Sequence, residues 1–206
     1  MHEAGDLRII WAFLNPRQRL SRKGSYDATM DIPDLTEAFI RNARATLEAL
    51  AEIERIGWDA YEEQGRQRAQ RMVLTDEFQE LASGMASHHV KSDADNKRYN
   101  GFPTGASICA DFAKQGALCR VTYGPLSMET AHNRPSMDRL NNDDGHHKGN
   151  RRYVGRPFNT WCAPSRLQWL RLLADPEQTT VGLTGEERGL LAAAIDRNVA
   201  VGRCSY

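Results

Sequence analysis

Between Pro135 and Asn159 the chain reads PSMDRLNNDDGHHKGNRRYVGRPFN, a block that gathers three aspartates, two adjacent histidines, three glycines and four asparagines. Asp138 offers a hard carboxylate oxygen and Asn159 an amide oxygen, donor types that suit Mg²⁺ or Mn²⁺ and leave coordination positions for water and phosphate. One carboxylate and one amide carry too little charge to retain such an ion by themselves. A phosphodiester would supply the missing anionic ligand, so that metal and nucleic acid bind together and the metal stabilises charge developing on the scissile phosphate.

The charge around the block fits a polyanionic partner. From Lys114 to Arg171 there are ten basic residues against four acids, within a chain whose 27 basic and 27 acidic residues cancel. This local excess is the footprint that a phosphate backbone attracts. It makes Arg134, Lys148, Arg151, Arg152 and Arg156 candidate nucleic-acid contacts, with DNA the expected partner. Trp161 and Trp169 could stack on bases, although aromatic residues eight apart after a helix start are also ordinary core residues.

The same residues carry a resemblance. Ser136, Asp138, Arg139 and Leu140, then Gly145, Asn150, Val154 and Asn159, preceded by Gly116, Cys119, Val121, Thr122, Gly124 and Leu126, are similar to the phage and bacterial branch of HNH nucleases. That branch reads S-[IL]-D-R-I-D-x-x-x-G-Y-x-x-x-N-V-x-x-V-x-x-x-x-N and belongs to the His-Me finger, or ββα-metal, superfamily. Asn150 lies twelve positions after Asp138, and Asn159 nine after Asn150. The resemblance covers about Gln115 to Asn159, under a quarter of the chain. It implies a metal-dependent endonuclease that hydrolyses phosphodiester bonds of DNA. Asp138 would be a ligand at the end of a first strand, Asn159 the second ligand, and Asn150 a brace that holds the loop through side-chain to backbone hydrogen bonds.

The chain also departs from the pattern. Most HNH enzymes have a histidine after the metal-binding aspartate, where it deprotonates the attacking water; this chain has Arg139, whose guanidinium stays protonated and cannot act as a base. Arg139 is then an electrostatic group, for phosphate or for an acid such as Asp143. His146 and His147 are the candidate proton acceptors, with His132 further off. Asn141 and Arg151 stand where the family has Asp and Val. These changes open the alternative of a catalytically degenerate HNH-fold protein, a phage-type inhibitor or regulator that binds without cutting.

The elements that must position these residues read as mostly α within an α+β class. Apolar residues at Leu35, Phe39, Ala43, Leu47, Leu50 and Ile53 recur three or four apart, which predicts a long amphipathic helix from Asp34 to about Gln70, capped by Asp34 with Glu37 and broken near Gly57. TDEFQELASGM predicts a second helix from Thr75 to about Met85. Ser87 to Thr104 loses the period and reads as a linker, with His88 and His89 on its surface. SICADFAKQ predicts a helix ended at Gly116, ALCRVTYGPLSM a β-hairpin turning at Tyr123-Gly124-Pro125, FNTWCAPSRLQWLRLLADP a helix restarting around Pro164, and LTGEERGLLAAAIDRN a last helix capped by Thr184 with Glu187. The expected organisation is a helical region over residues 1–95, where a target or protein partner would be set, and an HNH-like hairpin-and-helix module with C-terminal helices over 96–206.

Bulk properties narrow the class. With 40% hydrophobic and 26% charged residues and no long apolar run, the chain reads as a water-soluble globular protein without a membrane span. The N-terminal segment carries acids before its short apolar run and lacks a basic leader, so a cytoplasmic location is expected. Cys109, Cys119, Cys162 and Cys204 are too scattered for a CxxC knuckle. They read as buried thiols in preference to a structural zinc site, which would use Cys109, Cys119, Cys162 and a histidine.

Overall fold

The computed structural model describes residues 32–98, 101–130, 133–141, 143–159, 165–175 and 182–200, with side chains from residue 40 onward. His132, Trp161, Cys162 and Cys204, and the side chains of Asp34 and Glu37, lie outside this part. The described residues form six helices and a two-stranded antiparallel sheet: α1 (Ile32–Ile56), α2 (Trp58–Met72), α3 (Asp76–Asp95), α4 (Gly105–Gln115), β1 (Pro135–Arg139), β2 (Arg151–Gly155), α5 (Arg166–Ala174) and α6 (Gly185–Ala200). The protein is therefore α+β and mostly α. No described helix is long and apolar enough to cross a membrane.

The helical period decides which faces are buried. Ala43, Leu47, Leu50 and Ile53 of α1 are all in the core. Gly57, at φ +86°, separates α1 from α2 in a conformation that side chains other than glycine rarely adopt. Thr75 caps α3 by accepting the Phe78 N–H, and capping boxes open α4 (Thr104 with Ser107) and α5 (Ser165 with Gln168). Thr184 and Glu187 form the reciprocal pair expected before α6. One core joins these elements: Phe78 of α3 packs on Phe112 of α4 with ring centres 4.5 Å apart, and Phe112 meets Tyr153 of β2 edge-on at 5.3 Å. Trp169 of α5 is fully buried and donates its indole N–H to Thr46, so it is a core residue and not a stacking platform.

Two expectations about local structure are corrected. The linker expected from Ser87 is helical as far as Asp95, because the polar residues that break the apolar period, His89 and Asp93, occupy the buried face of α3 one turn apart. The hairpin expected within residues 117–128 is reduced to one isolated bridge between Leu118 and Pro125. The turn itself is closed by the Cys119 N–H on the Gly124 carbonyl, the Tyr123 N–H on the Cys119 carbonyl and the Leu126 N–H on the Ala117 carbonyl, whereas the Ala117 N–H goes to the Gly65 carbonyl of α2 and the Arg120 N–H to the Tyr153 carbonyl of β2.

Candidate functional site

The hairpin that matters is β1 with β2, paired so that Ser136 faces Val154, Met137 faces Tyr153, Asp138 faces Arg152 and Arg139 faces Arg151. Strand alternation sends these pairs to opposite faces. Tyr153 donates its hydroxyl to the Ile108 carbonyl and Arg151 pairs with Asp111, both on α4. The Met137, Arg139, Arg151 and Tyr153 face is thus turned to the helices, which leaves Ser136, Asp138, Arg152 and Val154 on the other.

Asn159 closes on that second face. A 3-10 turn over Arg156–Phe158 follows β2 directly and reverses the chain. The Asn159 amide then donates to the Ser136 hydroxyl at 2.6 Å and to the Met137 carbonyl at 3.0 Å. Both bonds are made through Nδ2, so neither uses Oδ1.

Asp138 is buried and ion-paired. Nε and Nη2 of Arg152 both lie 2.9 Å from its Oδ2. Burial raises the Asp138 pKa above the ordinary carboxylate value, and Arg152 opposes that rise. The donor atoms suit a hard cation. Their charge is already balanced by Arg152, so a divalent ion would require the anion of a bound phosphodiester. Among the described residues no group of three or more His, Cys, Asp and Glu side chains is placed to hold a metal ion.

The loop between the strands is set by Asn150, which is buried. Its Oδ1 accepts the Asn141 N–H at 2.7 Å, and its Nδ2 donates to the carbonyls of Asn141 and Gly145 at 3.0 and 2.8 Å. Three bonds from one side chain hold both ends of the Asn141–Gly145 segment.

The two histidines differ in environment. The His146 N–H and ring Nδ1 are both bound to the fully buried carboxylate of Asp93, at 2.7 and 3.0 Å, and the ring is covered by His89 at 3.8 Å between centres. Burial outweighs the Asp93 contact and pushes the His146 pKa down to about 4, so the ring is neutral at neutral pH. Arg139 also turns this way, 3.9 Å from Asp93, with its Nη1 donating to the Asp144 carbonyl at 3.5 Å. His146 and Arg139 are therefore anchored on α3, on the far side of the hairpin from Asp138. His147 is partly exposed, with Nδ1 on the Lys148 carbonyl and Nε2 on Asp144, each 2.8 Å away. Both ring nitrogens face acceptors, which favours the imidazolium, and the His147 pKa is raised, chiefly by Asp144.

The expected phosphate contacts divide. Lys148 and Arg156 are exposed. Arg134 is partly exposed, 3.8 Å from Glu77. The side chains of Arg151 and Arg152 are almost wholly buried in ion pairs with Asp111 and Asp138, because each lies directly beside a carboxylate when the hairpin packs. Asp93, His89 and Asp111 were not among the expected site residues. The signal that could have found the first two is their spacing of four, which puts them on one face once the helix is continued past Met85.

No family model matches the chain, and neither curated proteins nor solved structures yield a match. The reading of the site rests on residues and geometry.

Proposed function

We propose that the β1–β2 hairpin, the turn at Arg156–Phe158 and helix α5 form an HNH-like ββα-metal module, and that the protein is a metal-dependent endonuclease that hydrolyses phosphodiester bonds of DNA. The observation that carries this reading is the return of Asn159 to Ser136 and Met137, which brings an amide to the strand face of a carboxylate 21 positions earlier. The three-bond brace made by Asn150 supports it. Residues 96–206 carry the module in this reading, and the helices before them set target or partner.

Asp138 and Asn159 would hold Mg²⁺ or Mn²⁺, which when bound stabilises negative charge on the scissile phosphate. In this reading Arg152, paired with Asp138 before DNA arrives, turns its guanidinium to a non-bridging phosphate oxygen when DNA binds and so frees the carboxylate. In this reading Lys148, Arg156 and Arg134 serve as contacts to the DNA backbone.

A second reading has its own observation. Asp138 is closed off by Arg152 and His146 by Asp93, which is the arrangement expected of a degenerate HNH-fold binding protein, an inhibitor or regulator. Incubating supercoiled plasmid with the protein and Mg²⁺ or Mn²⁺ separates the two. Nicking by the wild type that Asp138→Ala abolishes supports the enzyme. Plasmid left intact by the wild type under both metals ends the enzyme reading, and retained DNA or protein binding would then favour the second.

A further inference from the structure

Asp93, in the last turn of α3, is fully buried, and its carboxylate is shared among groups of the hairpin. Its Oδ2 accepts the His146 N–H at 2.7 Å, Oδ1 and Oδ2 lie 3.0 and 3.1 Å from the His146 Nδ1, and Oδ1 lies 3.9 Å from Nη1 of Arg139. An ionised carboxylate only accepts, so the ring proton of His146 sits on Nδ1. The loop can come this close because residue 145 lacks a side chain: a Cβ on Gly145 would lie 3.2 Å from Asp93 Oδ2 and 3.3 Å from the Arg98 carbonyl oxygen. His89, one turn earlier on α3, covers the His146 ring with centres 3.8 Å apart.

These contacts bear on the residues that hold Asp138. His146 follows Gly145, whose carbonyl accepts from Asn150, and the same Asn150 side chain bonds to both backbone groups of Asn141, just beyond β1. The loop is thus tied to α3 at His146 and tied across itself at Asn150. Charge acts together with these bonds. Side chains alternate along a strand, so Arg139 turned to Asp93 leaves Asp138 on the opposite face. The reverse placement would set the Asp138 carboxylate beside that of Asp93 in a buried space, where two like charges are costly. Packing of Met137 and Tyr153, both in the core, favours the observed placement too, so loss of the Asp93 charge should loosen the hairpin without inverting it.

We propose that Asp93 is a positioning residue for the site at Asp138 and Asn159: from α3 it fixes the loop end of the β1–β2 hairpin, and its negative charge, by drawing Arg139 to α3, keeps Asp138 on the face to which Asn159 returns. The proposal rests on the endonuclease reading for what the site binds, and on the hairpin contacts alone for how it is held. Helix α3 then belongs to the framework of the site, although it precedes residues 96–206.

The test uses the full chain as wild type, Asp93→Asn, Arg139→Gln and the double variant. The asparagine keeps an oxygen for the His146 N–H and removes the charge. Amide hydrogen exchange of Leu140 and Asn141, whose N–H groups bond to Asn150, reads the loop without DNA or metal. Val73 and Gly116, at the ends of α2 and α4, are control amides that a general loss of stability would also move. Mn²⁺ binding in the presence of a cleavage-resistant phosphorothioate DNA reads the site. Each single variant should speed exchange at Leu140 and Asn141 about tenfold, leave Val73 and Gly116 unchanged and weaken Mn²⁺ binding about tenfold, and the double variant should do no more than either single one, since the pair acts as a unit. Unchanged exchange at Leu140 and Asn141, equal acceleration at all four amides, additive effects in the double variant, or unchanged Mn²⁺ binding overturns the proposal. Should Asp93→Asn fail to fold, Arg139→Gln, at a partly exposed position, carries the same comparison. Absence of DNA-dependent Mn²⁺ binding by the wild type defeats the endonuclease reading, and the exchange rates then decide this proposal separately.

Discussion

At the scale of single residues, the site is governed by side chains whose polar atoms are nearly all engaged. Asn150 is the clearest, since its amide satisfies one N–H and two carbonyls of the loop. Asn150→Ala leaves those groups unpaired and should destabilise the fold by about 2–4 kcal/mol, measured by urea denaturation. Asn150→Asp should not rescue it, because a carboxylate keeps the acceptor and loses both donors. The bracing role of Asn150 was legible in the sequence only through the resemblance to the HNH pattern, which implied it. The partners of the charged residues were not. Nothing local to Asp138 announces Arg152, or local to Arg151 announces Asp111, because strand register and helix packing make those pairs across 14 and 40 positions. A histidine that is a base by residue type also proves to be a buried neutral ring or a doubly hydrogen-bonded one according to its neighbours alone.

At the scale of elements, boundaries set by backbone chemistry were readable and those set by tertiary contact were not. Gly57, Gly116, Thr75 and the Thr184–Glu187 pair mark helix ends in the sequence and mark them in the fold. The second half of α3 was not readable as helix, because its buried stripe is polar: a solvent-facing loop and a helix with His89 and Asp93 turned inward have the same composition. The hairpin expected after α4 keeps its turn and one bridge, but the Ala117 and Arg120 N–H groups go to α2 and β2 and no regular strand pair forms. The junction of α2 with α4 supplies a prediction at this scale. Gly116→Ala puts a Cβ at positive φ against the Gly65 and Arg66 backbone, and should destabilise by about 2–4 kcal/mol. Thermal unfolding checks it, and Gly84→Ala, a helical position with open space around the added carbon, serves as the control that should be neutral or stabilising.

At the scale of the whole molecule, α3 and the hairpin loop are joined through a buried polar cluster, and that cluster makes stability depend on pH. Burial lowers the pKa of His89 to about 3 and that of His146 to about 4. His88, Asp93, Arg139 and Arg98 are the charged and titratable groups around them. In the unfolded chain both rings protonate near the ordinary value of about 6.5. The unfolded state therefore takes up protons first as pH falls, and the stability fully present above about pH 6.5 is lost progressively toward about pH 4. Asp138 works in the opposite sense: its pKa is raised in the folded state, so acid relieves the cost of burying its charge and offsets part of the loss. Urea midpoints measured from about pH 7.5 to about pH 4 should fall, and His89→Phe, which keeps a ring against His146 and removes one titration, should make the fall shallower. The central claim, that Asp138 and Asn159 meet on one face to hold a metal together with a phosphodiester, is tested most directly by electron paramagnetic resonance of Mn²⁺ added with a cleavage-resistant phosphorothioate DNA. The account predicts Mn²⁺ bound by the wild type only when DNA is present, and lost in Asp138→Ala and in Asn159→Ala; no DNA-dependent binding, or binding unchanged in both variants, would contradict it.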